Sequence, residues 1–271
     1  MKLNYSFLLL CLFFCSSEVL GSNLFNDSRS LGLSSSNVAM NTTYNSNPNV
    51  ASFVNSEFNG FLVNHQINYF VKELSVSLIQ FNYHINKYSC IQSAFSYSGN
   101  KNFNETNFQI GYGKKLGEKL NAGITFNYSR LNYSDNSYST IPIATPTIYI
   151  FAKATNKIHF GCSIHNPARI KIKSKQNYPA SLIGGVSYLP TDKTKLAIVA
   201  IQENGKEMKF SVGLEYMFMN TLELRAGYQN KINLLSAGLS LILKNLQIEF
   251  AYRSQLIIGN STSLSILIPV K

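Results

Sequence analysis

The sequence predicts an all-β protein, a transmembrane antiparallel up-and-down β-barrel of about fourteen strands. From Met208 to Ile268, apolar residues alternate almost without a break with small or polar ones. Successive side chains of a strand point to opposite faces, so each run builds one apolar and one wet face. Short polar breaks such as Lys244-Asn245 separate the runs and are typical of hairpin turns. These observations together predict an antiparallel meander.

The composition is typical of a β-rich protein outside the cytoplasm. Charged residues make up 14% of the 271 residues, against roughly 25% in soluble domains, and Tyr and Phe supply all of the 13% aromatic content. The net charge of +11 raises the question of nucleic acid. The Lys and Arg residues are scattered rather than massed on one element, so we predict no nucleic-acid partner.

Residues 1–21 predict a signal peptide for export. Lys2 supplies the positive start, Phe7 to Phe14 the apolar stretch, and Gly21 a plausible cleavage site. The apolar stretch is too short to cross a bilayer of about 30 Å as a helix. A lipoprotein with Cys15 as its anchor is the alternative, but the residues before this cysteine are not small.

Nine further segments alternate well enough to be predicted as strands. They are Phe61–Phe70, Glu73–Ile85, Ser89–Ser98, Thr106–Lys115, Leu120–Leu131, Thr147–Ala154, Ile158–Asn166, Ala180–Leu189 and Lys195–Gln202. With the five C-terminal runs they complete about fourteen strands, an even number, as single-chain bacterial outer-membrane barrels have.

The connections divide into a short set and a longer set, which predicts two different ends of the barrel. If the last strand ends in the periplasm, the periplasmic turns are Asn86–Tyr88, Leu116–Lys119, Thr155–Lys157, Pro190–Thr194, Met219–Thr221 and Lys244-Asn245. The outer loops are Gly99–Glu105, Asn132–Pro146, Pro167–Pro179 and Arg253–Thr262. Short periplasmic turns with longer outer loops are typical of outer-membrane barrels. A soluble secreted β-protein would also alternate and stays as an alternative.

No arrangement of side chains predicts an enzyme, a cofactor or a metal. Ser163, His165 and Asn166 are residue types found in hydrolases, but two strand positions separate Ser163 from His165 by about 7 Å. No Cys/His or Asp-rich spacing indicates zinc or calcium. Gly111 and Gly113 lack a phosphate-loop pattern and instead predict close backbone packing or kinks inside strands.

Two groups of charges stand out. The alternation places Glu215, Glu223, Arg225 and Glu249 on the small and polar face, so we expect them in the barrel lumen. There they would pair with each other or with the N-terminal segment. Arg169, Lys171, Lys173 and Lys175 alternate in an expected outer loop and, if extended, would face one way. This basic loop is either solvated or in contact with anionic lipid head groups or a partner.

The start of the mature chain resembles the opening of a family of bacterial outer-membrane barrels. Its motifs are Ser28-Arg29-Ser30-Leu31-Gly32-Leu33-Ser34, then Asn37-Val38-Ala39-Met40, then Asn47-Pro48. Further on, Gly161 to Asn166 is similar to the family's "G-x-x-x-x-N" strand end, and Leu224 to Tyr228 to its "L-R-A-G-Y". The family includes the fatty acid transporter (FadL) type and the type IX secretion barrels of the PorV and PorQ kind.

The resemblance implies that residues 22–56 form a hatch inside a barrel built by residues 57–271. Arg29, Gly32, Asn47 and Pro48 would belong to this hatch. It also implies an outer membrane of a Gram-negative bacterium, with lipid including lipopolysaccharide around the barrel. The loops are short and the second motif is altered, which favours a protein-interaction role with secretion-system proteins or secreted cargo. The alternative is passive uptake of a hydrophobic small molecule.

Overall fold

The computed structural model describes residues 26–41, 49–134, 141–172 and 176–270. The expected signal peptide and the hatch residues Asn47 and Pro48 lie outside the described residues. Within these ranges, no helix is long and apolar enough to cross a membrane. The helical elements are α1 (Ser28–Gly32), α2 (Val50–Phe53) and two 3-10 turns, Asn68–Phe70 and Lys72–Leu74.

Sixteen strands follow in the described part of the chain. They are β1 (Gly60–Ile67), β2 (Ser75–Asn86), β3 (Ser89–Gly99), β4 (Phe103–Lys115), β5 (Leu120–Tyr133), β6 (Ile141–Lys153), β7 (Ile158–His165), β8 (Lys171–Ile172), β9 (Gln176–Asn177), β10 (Ser181–Thr191), β11 (Thr194–Glu203), β12 (Lys209–Met219), β13 (Leu222–Gln229), β14 (Leu234–Leu243), β15 (Leu246–Gln255) and β16 (Gly259–Pro269).

Fourteen of these strands form one closed antiparallel barrel, which confirms the predicted fold class. Each strand pairs with its neighbour in sequence, except that β7 pairs with β10 across the loop that contains the small β8–β9 hairpin. The seam between β1 and β16 closes the barrel, with Gly60 opposite Pro269 and Ile67 opposite Thr262. No barrel strand is therefore left as a sheet edge along its full length.

The barrel wall is apolar outside and polar inside, the reverse of a soluble β-protein. Large apolar side chains such as Phe126, Ile198 and Ile79 point outward and are each more than half exposed. The inner face carries mostly Ser, Thr, Asn, Gln and Gly together with buried Glu and Arg side chains. Since exposed apolar belts of this extent are unstable in water, the outer face has the character of a lipid-facing surface.

The connections follow the predicted division, but three of the four expected outer loops are too long. The connection predicted as Gly99–Glu105 consists of residues 100–102, and that predicted as Asn132–Pro146 consists of residues 134–140. Turns of two to four residues join the strands at the end where β1 begins and β16 ends. The connections at the opposite end have three to fifteen residues, and the longest comprises residues 166–180 between β7 and β10. The predicted loop Arg253–Thr262 is wrong, because β15 and β16 leave only Leu256 to Ile258 between them. Polar residues on both faces of this hairpin obscure its alternation in the sequence.

Strand β6 begins six residues earlier than the sequence indicates. Pro142 and Pro146 conceal this part of the strand in the sequence, because proline is unfavourable inside a strand. The structure tolerates both prolines. Residues 141–146 pair with β5 on one side, whereas β7 pairs only with the part from Thr147 to Lys153. Both prolines therefore lie where the strand has one strand partner, so that the missing N–H groups cost no bond to β7.

The N-terminal segment (residues 26–41 and 49–58) lies inside the barrel. Helix α1 packs against the inner faces of β13 to β16, and α2 packs against those of β3 to β6. Nearly all of its described residues are buried. Wall glycines make room for its backbone, and a Cβ atom would collide with it at Gly113, Gly123, Gly161, Gly213 and Gly227. At Gly161 the obstacle is the Val38 carbonyl oxygen.

A valine at one of these glycines should displace the N-terminal segment. We expect Gly161→Val to lower the unfolding free energy by about 1–3 kcal/mol, the usual effect of overpacking, and to speed limited proteolysis near Val38. Gly184→Val is the matched control, because Gly184 lies on the adjacent strand with nothing within 4 Å of its Cβ position. Equal proteolysis rates in the two variants would contradict the close packing described here.

Candidate functional site

Strands β11, β12, β13 and β15 bring a group of charged side chains together in the lumen. Glu215 of β12 lies directly opposite Arg225 of β13 on one side and Lys195 of β11 on the other. Glu223 precedes Arg225 on the same face, and Glu249 comes from β15. Because alternate strand residues share a face, all five enter the lumen from the wall. Lys195 is not among the predicted luminal charges, although the alternation of β11 in the sequence also places it on the inner face.

Arg29 of the N-terminal segment completes this luminal charge cluster. Its guanidinium donates two hydrogen bonds to Glu215, from Nε at 2.7 Å and from Nη2 at 3.2 Å. Glu215 also accepts from Lys195 Nζ at 2.6 Å and from Arg225 Nε at 3.2 Å. Arg29 is fully buried although it lies on a five-residue helix. The wall therefore buries the Arg29 side chain and supplies Glu215 as its carboxylate partner.

Arg225 links the remaining carboxylates. Its Nη2 lies 2.8 Å from Glu223 Oε1 and 3.0 Å from Glu249 Oε1. The cluster thus joins three cations, Arg29, Lys195 and Arg225, to three carboxylates, Glu215, Glu223 and Glu249. Buried charges are tolerated when they are paired in this way. Without Arg29 this cluster would retain one unbalanced negative charge, so the N-terminal segment balances the charges of the cluster.

Serine side chains of the wall hold the rest of the N-terminal segment. Ser28 N–H donates to Ser265 Oγ at 3.0 Å, and Ser34 Oγ lies 2.7 Å from Ser236 Oγ. Wall side chains also donate to carbonyl oxygens of the segment, with Ser236 bonding Gly32, Ser187 bonding Ala39 and Asn121 bonding Ala51 at 2.7 to 2.9 Å. Each of these contacts involves a side chain of the wall.

A second group of residues closes the lumen at the loop end. Leu131, Ile143 and Tyr178 form a buried apolar cluster, against which Phe103 and Tyr133 pack. Tyr178 lies near the end of the connection between β7 and β10, and its side chain is buried. The side chain of Asn166 holds this loop by donating to Tyr178 O at 3.0 Å and accepting from Ile170 N–H at 3.0 Å. We call these five apolar residues the mouth cluster.

The other residues singled out in the sequence are placed as follows. His165 Nδ1 lies 2.8 Å from Thr147 Oγ1. The imidazole is therefore hydrogen-bonded to Thr147 rather than to Ser163. Arg169 is exposed in a left-handed turn with φ 49, so it does not continue into one extended basic run with Lys171. Lys173 and Lys175 lie outside the described residues. Gly32 packs at the wall, where a Cβ would lie 3.2 Å from Gly238 Cα.

Among the described residues, no group of three or more His, Cys, Asp or Glu side chains is arranged to hold a metal ion.

The architecture is shared with solved channels over nearly the whole chain. The CymD monoaromatic hydrocarbon channel superposes with a TM-score of 0.67 at 13% identity, covering 92% of this chain and 99% of that one. A Pseudomonas aeruginosa FadL homologue gives 0.64 at 9% identity, with 90% and 98% covered. The P. putida toluene transporter TodX gives 0.62 at 11% identity, with 92% and 99% covered. No protein-family model and no curated protein matches the sequence. The fold is that of these channels.

The Arg29–Glu215 pair should stabilise the protein through mutual compensation. We expect Glu215→Gln to lower the unfolding free energy by about 3–5 kcal/mol, because it leaves buried cations without their carboxylate. Arg29→Met should also destabilise, and the double variant should be more stable than the sum of the single effects by about 0.5–3 kcal/mol.

Equilibrium guanidinium unfolding in detergent micelles measures these differences. Lys231→Met is the control, because Lys231 and Glu207 form an exposed pair whose loss should leave the midpoint unchanged. Strict additivity of the Arg29 and Glu215 effects would contradict the direct coupling.

Proposed function

We propose that this chain is an integral outer-membrane channel that passes hydrophobic small molecules when its N-terminal segment moves aside. The observation that carries the proposal is the way this segment is attached. It occupies the lumen, yet in the described ranges no backbone–backbone hydrogen bond joins it to a strand. The fourteen strands close on one another without it. The segment can therefore leave the lumen without breaking the hydrogen-bond ladder of the barrel wall.

The energetics of displacement support this role. Leaving the wall breaks side-chain hydrogen bonds, each with a net contribution of about 0.5–1.5 kcal/mol, together with the Arg29–Glu215 ion pair and the apolar packing of α2, but no strand pairing. Glu215 keeps Lys195 and Arg225 as direct partners when Arg29 departs, although the wall cluster then has two cations for three carboxylates. A segment that moves requires a barrel that stays folded without it and contacts weak enough to break and form again.

The solved structures of the same fold favour uptake over secretion. CymD is a monoaromatic hydrocarbon channel, and TodX is a toluene transporter. None of the three structures named above is a secretion component. Of the two roles expected from the family resemblance, these structures therefore support the hydrophobic-molecule channel, while the PorV/PorQ-like role has no finding in its favour. The proposal assigns the chain no catalytic step and no cofactor.

The barrel exterior supports an outer-membrane location. A β-structure in hydrocarbon must close so that every backbone group is paired, and this wall is closed. The exposed apolar belt would then contact lipid, including lipopolysaccharide in the outer leaflet, whereas a soluble β-protein would hold its apolar face inside. Export by residues 1–21 is part of the same proposal.

Membrane integration has a direct test. We expect the protein to sediment with outer membranes, to resist extraction by carbonate, and to migrate faster on a gel before boiling than after it, because a closed barrel keeps its shape in mild detergent. Release into the soluble fraction without detergent would contradict the location.

Movement of the N-terminal segment can be tested by tethering it. The Ser34 and Ser236 oxygens lie 2.7 Å apart, so the variant Ser34→Cys/Ser236→Cys places two thiols within disulfide reach. Cells expressing the unmodified protein in their outer membrane should take up methylnaphthalene faster than cells with an empty vector. The oxidised double variant should lose this gain, and a reductant should restore it.

Ser236→Cys alone is the control, since it keeps the wall position but has no second thiol. Uptake by the oxidised double variant at the full rate would show that the segment does not gate the channel. Uptake no faster than with the empty vector would overturn the channel itself.

A further inference from the structure

Glu105 lies at the loop end of the lumen. It is the third residue of β4, its side chain is on the inner face, and the residue is 1% exposed. Leu131 of the mouth cluster is its cross-strand neighbour on β5, and Ser98 is its neighbour on β3. A carboxyl group at this position is therefore surrounded largely by apolar and neutral side chains.

This carboxyl has no hydrogen bond of standard geometry. The Asn107 side chain lies on the same face of β4 and is close enough to interact with Glu105. No atom pair of the two side chains has standard hydrogen-bond geometry, and no other described residue bonds the Glu105 oxygens or the Asn107 amide atoms. Ser96 Oγ, across from Asn107 on β3, is also unpaired. A buried polar group without a partner is destabilising, and a charged one more so. Three neighbouring side chains left in this state point to a partner that comes from outside the chain.

The luminal charge cluster makes the contrast clear. There, every carboxylate has Arg or Lys within hydrogen-bond distance. At the mouth, no Lys or Arg of the described ranges forms an ion pair with Glu105. The lumen thus has a neutralised middle and an uncompensated acidic group beneath its loops.

Tyr178, near the end of the connection between β7 and β10, lies close to this group. Tyr178 of the mouth cluster is 3% exposed and belongs to residues 166–180, which link β7 to β10. Beside this loop, residues 141–146 of β6 pair with β5 but not with β7. The side chain of Asn166 bonds Tyr178 and Ile170, and these bonds are not part of the barrel ladder.

We propose that the mouth cluster binds a hydrophobic molecule with a hydrogen-bond donor, an amine or a hydroxyl group, which Glu105 and the Asn107 carbonyl oxygen accept. The apolar side chains of the mouth cluster surround the body of this molecule. The proposal rests on the channel function and narrows its substrate class. A hydrophobic carboxylate is disfavoured, because it would bring a second negative charge beside Glu105 in a site of low dielectric constant.

The test uses four fluorescent probes of nearly equal shape: naphthylmethylamine, naphthalenemethanol, methylnaphthalene and naphthoate. Binding to the full-length protein in lipid nanodiscs is measured by fluorescence, with empty nanodiscs subtracted. We expect the amine to bind about tenfold more tightly than naphthoate, since a charge-assisted hydrogen bond is worth at least this factor. The alcohol should bind more tightly than methylnaphthalene.

Two variants assign the preference to Glu105. Glu105→Gln removes the charge and should reduce the ratio of amine to naphthoate affinity to near unity, while the alcohol keeps an acceptor. Glu105→Leu should also abolish the preference for the alcohol over methylnaphthalene. Both replace an unpaired buried carboxyl, so we expect them to fold, which heat-modifiable gel mobility checks. Glu118→Gln, in an exposed turn at the other end, is the matched charge control.

The outcomes separate this inference from the channel function. If the unmodified protein binds naphthoate as tightly as the amine, or if Glu105→Gln binds all four probes as the unmodified protein does, the inference is overturned. Uptake of methylnaphthalene by cells would then still support the channel. If the protein neither binds any probe nor speeds methylnaphthalene uptake, both proposals are overturned.

Discussion

Closure of the strand ladder is the constraint on which the rest of this structure depends. Hydrocarbon offers no partner to a backbone N–H or C=O group, so the first barrel strand must pair with the last, as β1 does with β16. Once the wall is closed, alternation sends every second side chain into an enclosed space. Polar residues that a soluble protein would expose to bulk water are then held inside, where each of them needs a partner.

The N-terminal segment supplies many of these partners. Arg29 balances the carboxylates of the wall, and wall serines bond its backbone carbonyl groups. Inner-face glycines let its backbone approach closely, as Gly161 does for Val38. None of these contacts belongs to the hydrogen-bond ladder of the barrel strands. The lumen can therefore be tightly packed and still open when the N-terminal segment moves. The mouth region differs, because Glu105 has been left without any such partner.

Much of the barrel could be predicted from the sequence, because a period of two residues is a local property. Alternation identified fourteen barrel strands and placed Glu215, Glu223, Arg225 and Glu249 on the inner face. It failed at β6, where Pro142 and Pro146 conceal a strand that has one strand partner along that stretch.

Contacts between distant residues were beyond local patterns. Arg29 and Glu215 lie 186 positions apart, and only the closed barrel brings them together. The isolation of Glu105 is likewise a property of its surroundings, since its neighbours come from three strands and a loop. The motifs near the N-terminus are shared by transporter-type and secretion-type barrels, so they predicted a hatch without deciding between the two roles.

The pairing of Glu215 with Arg225 also has a consequence for how the barrel assembles. The two residues are direct cross-strand partners in the β12–β13 hairpin. A slip of one residue in either strand would turn its charges toward the acyl chains and bring Leu214 or Leu224 into the lumen. An unpaired charge in the bilayer is far less stable than a mispaired leucine. The charge cluster therefore makes the observed register of this hairpin more stable than a register shifted by one residue.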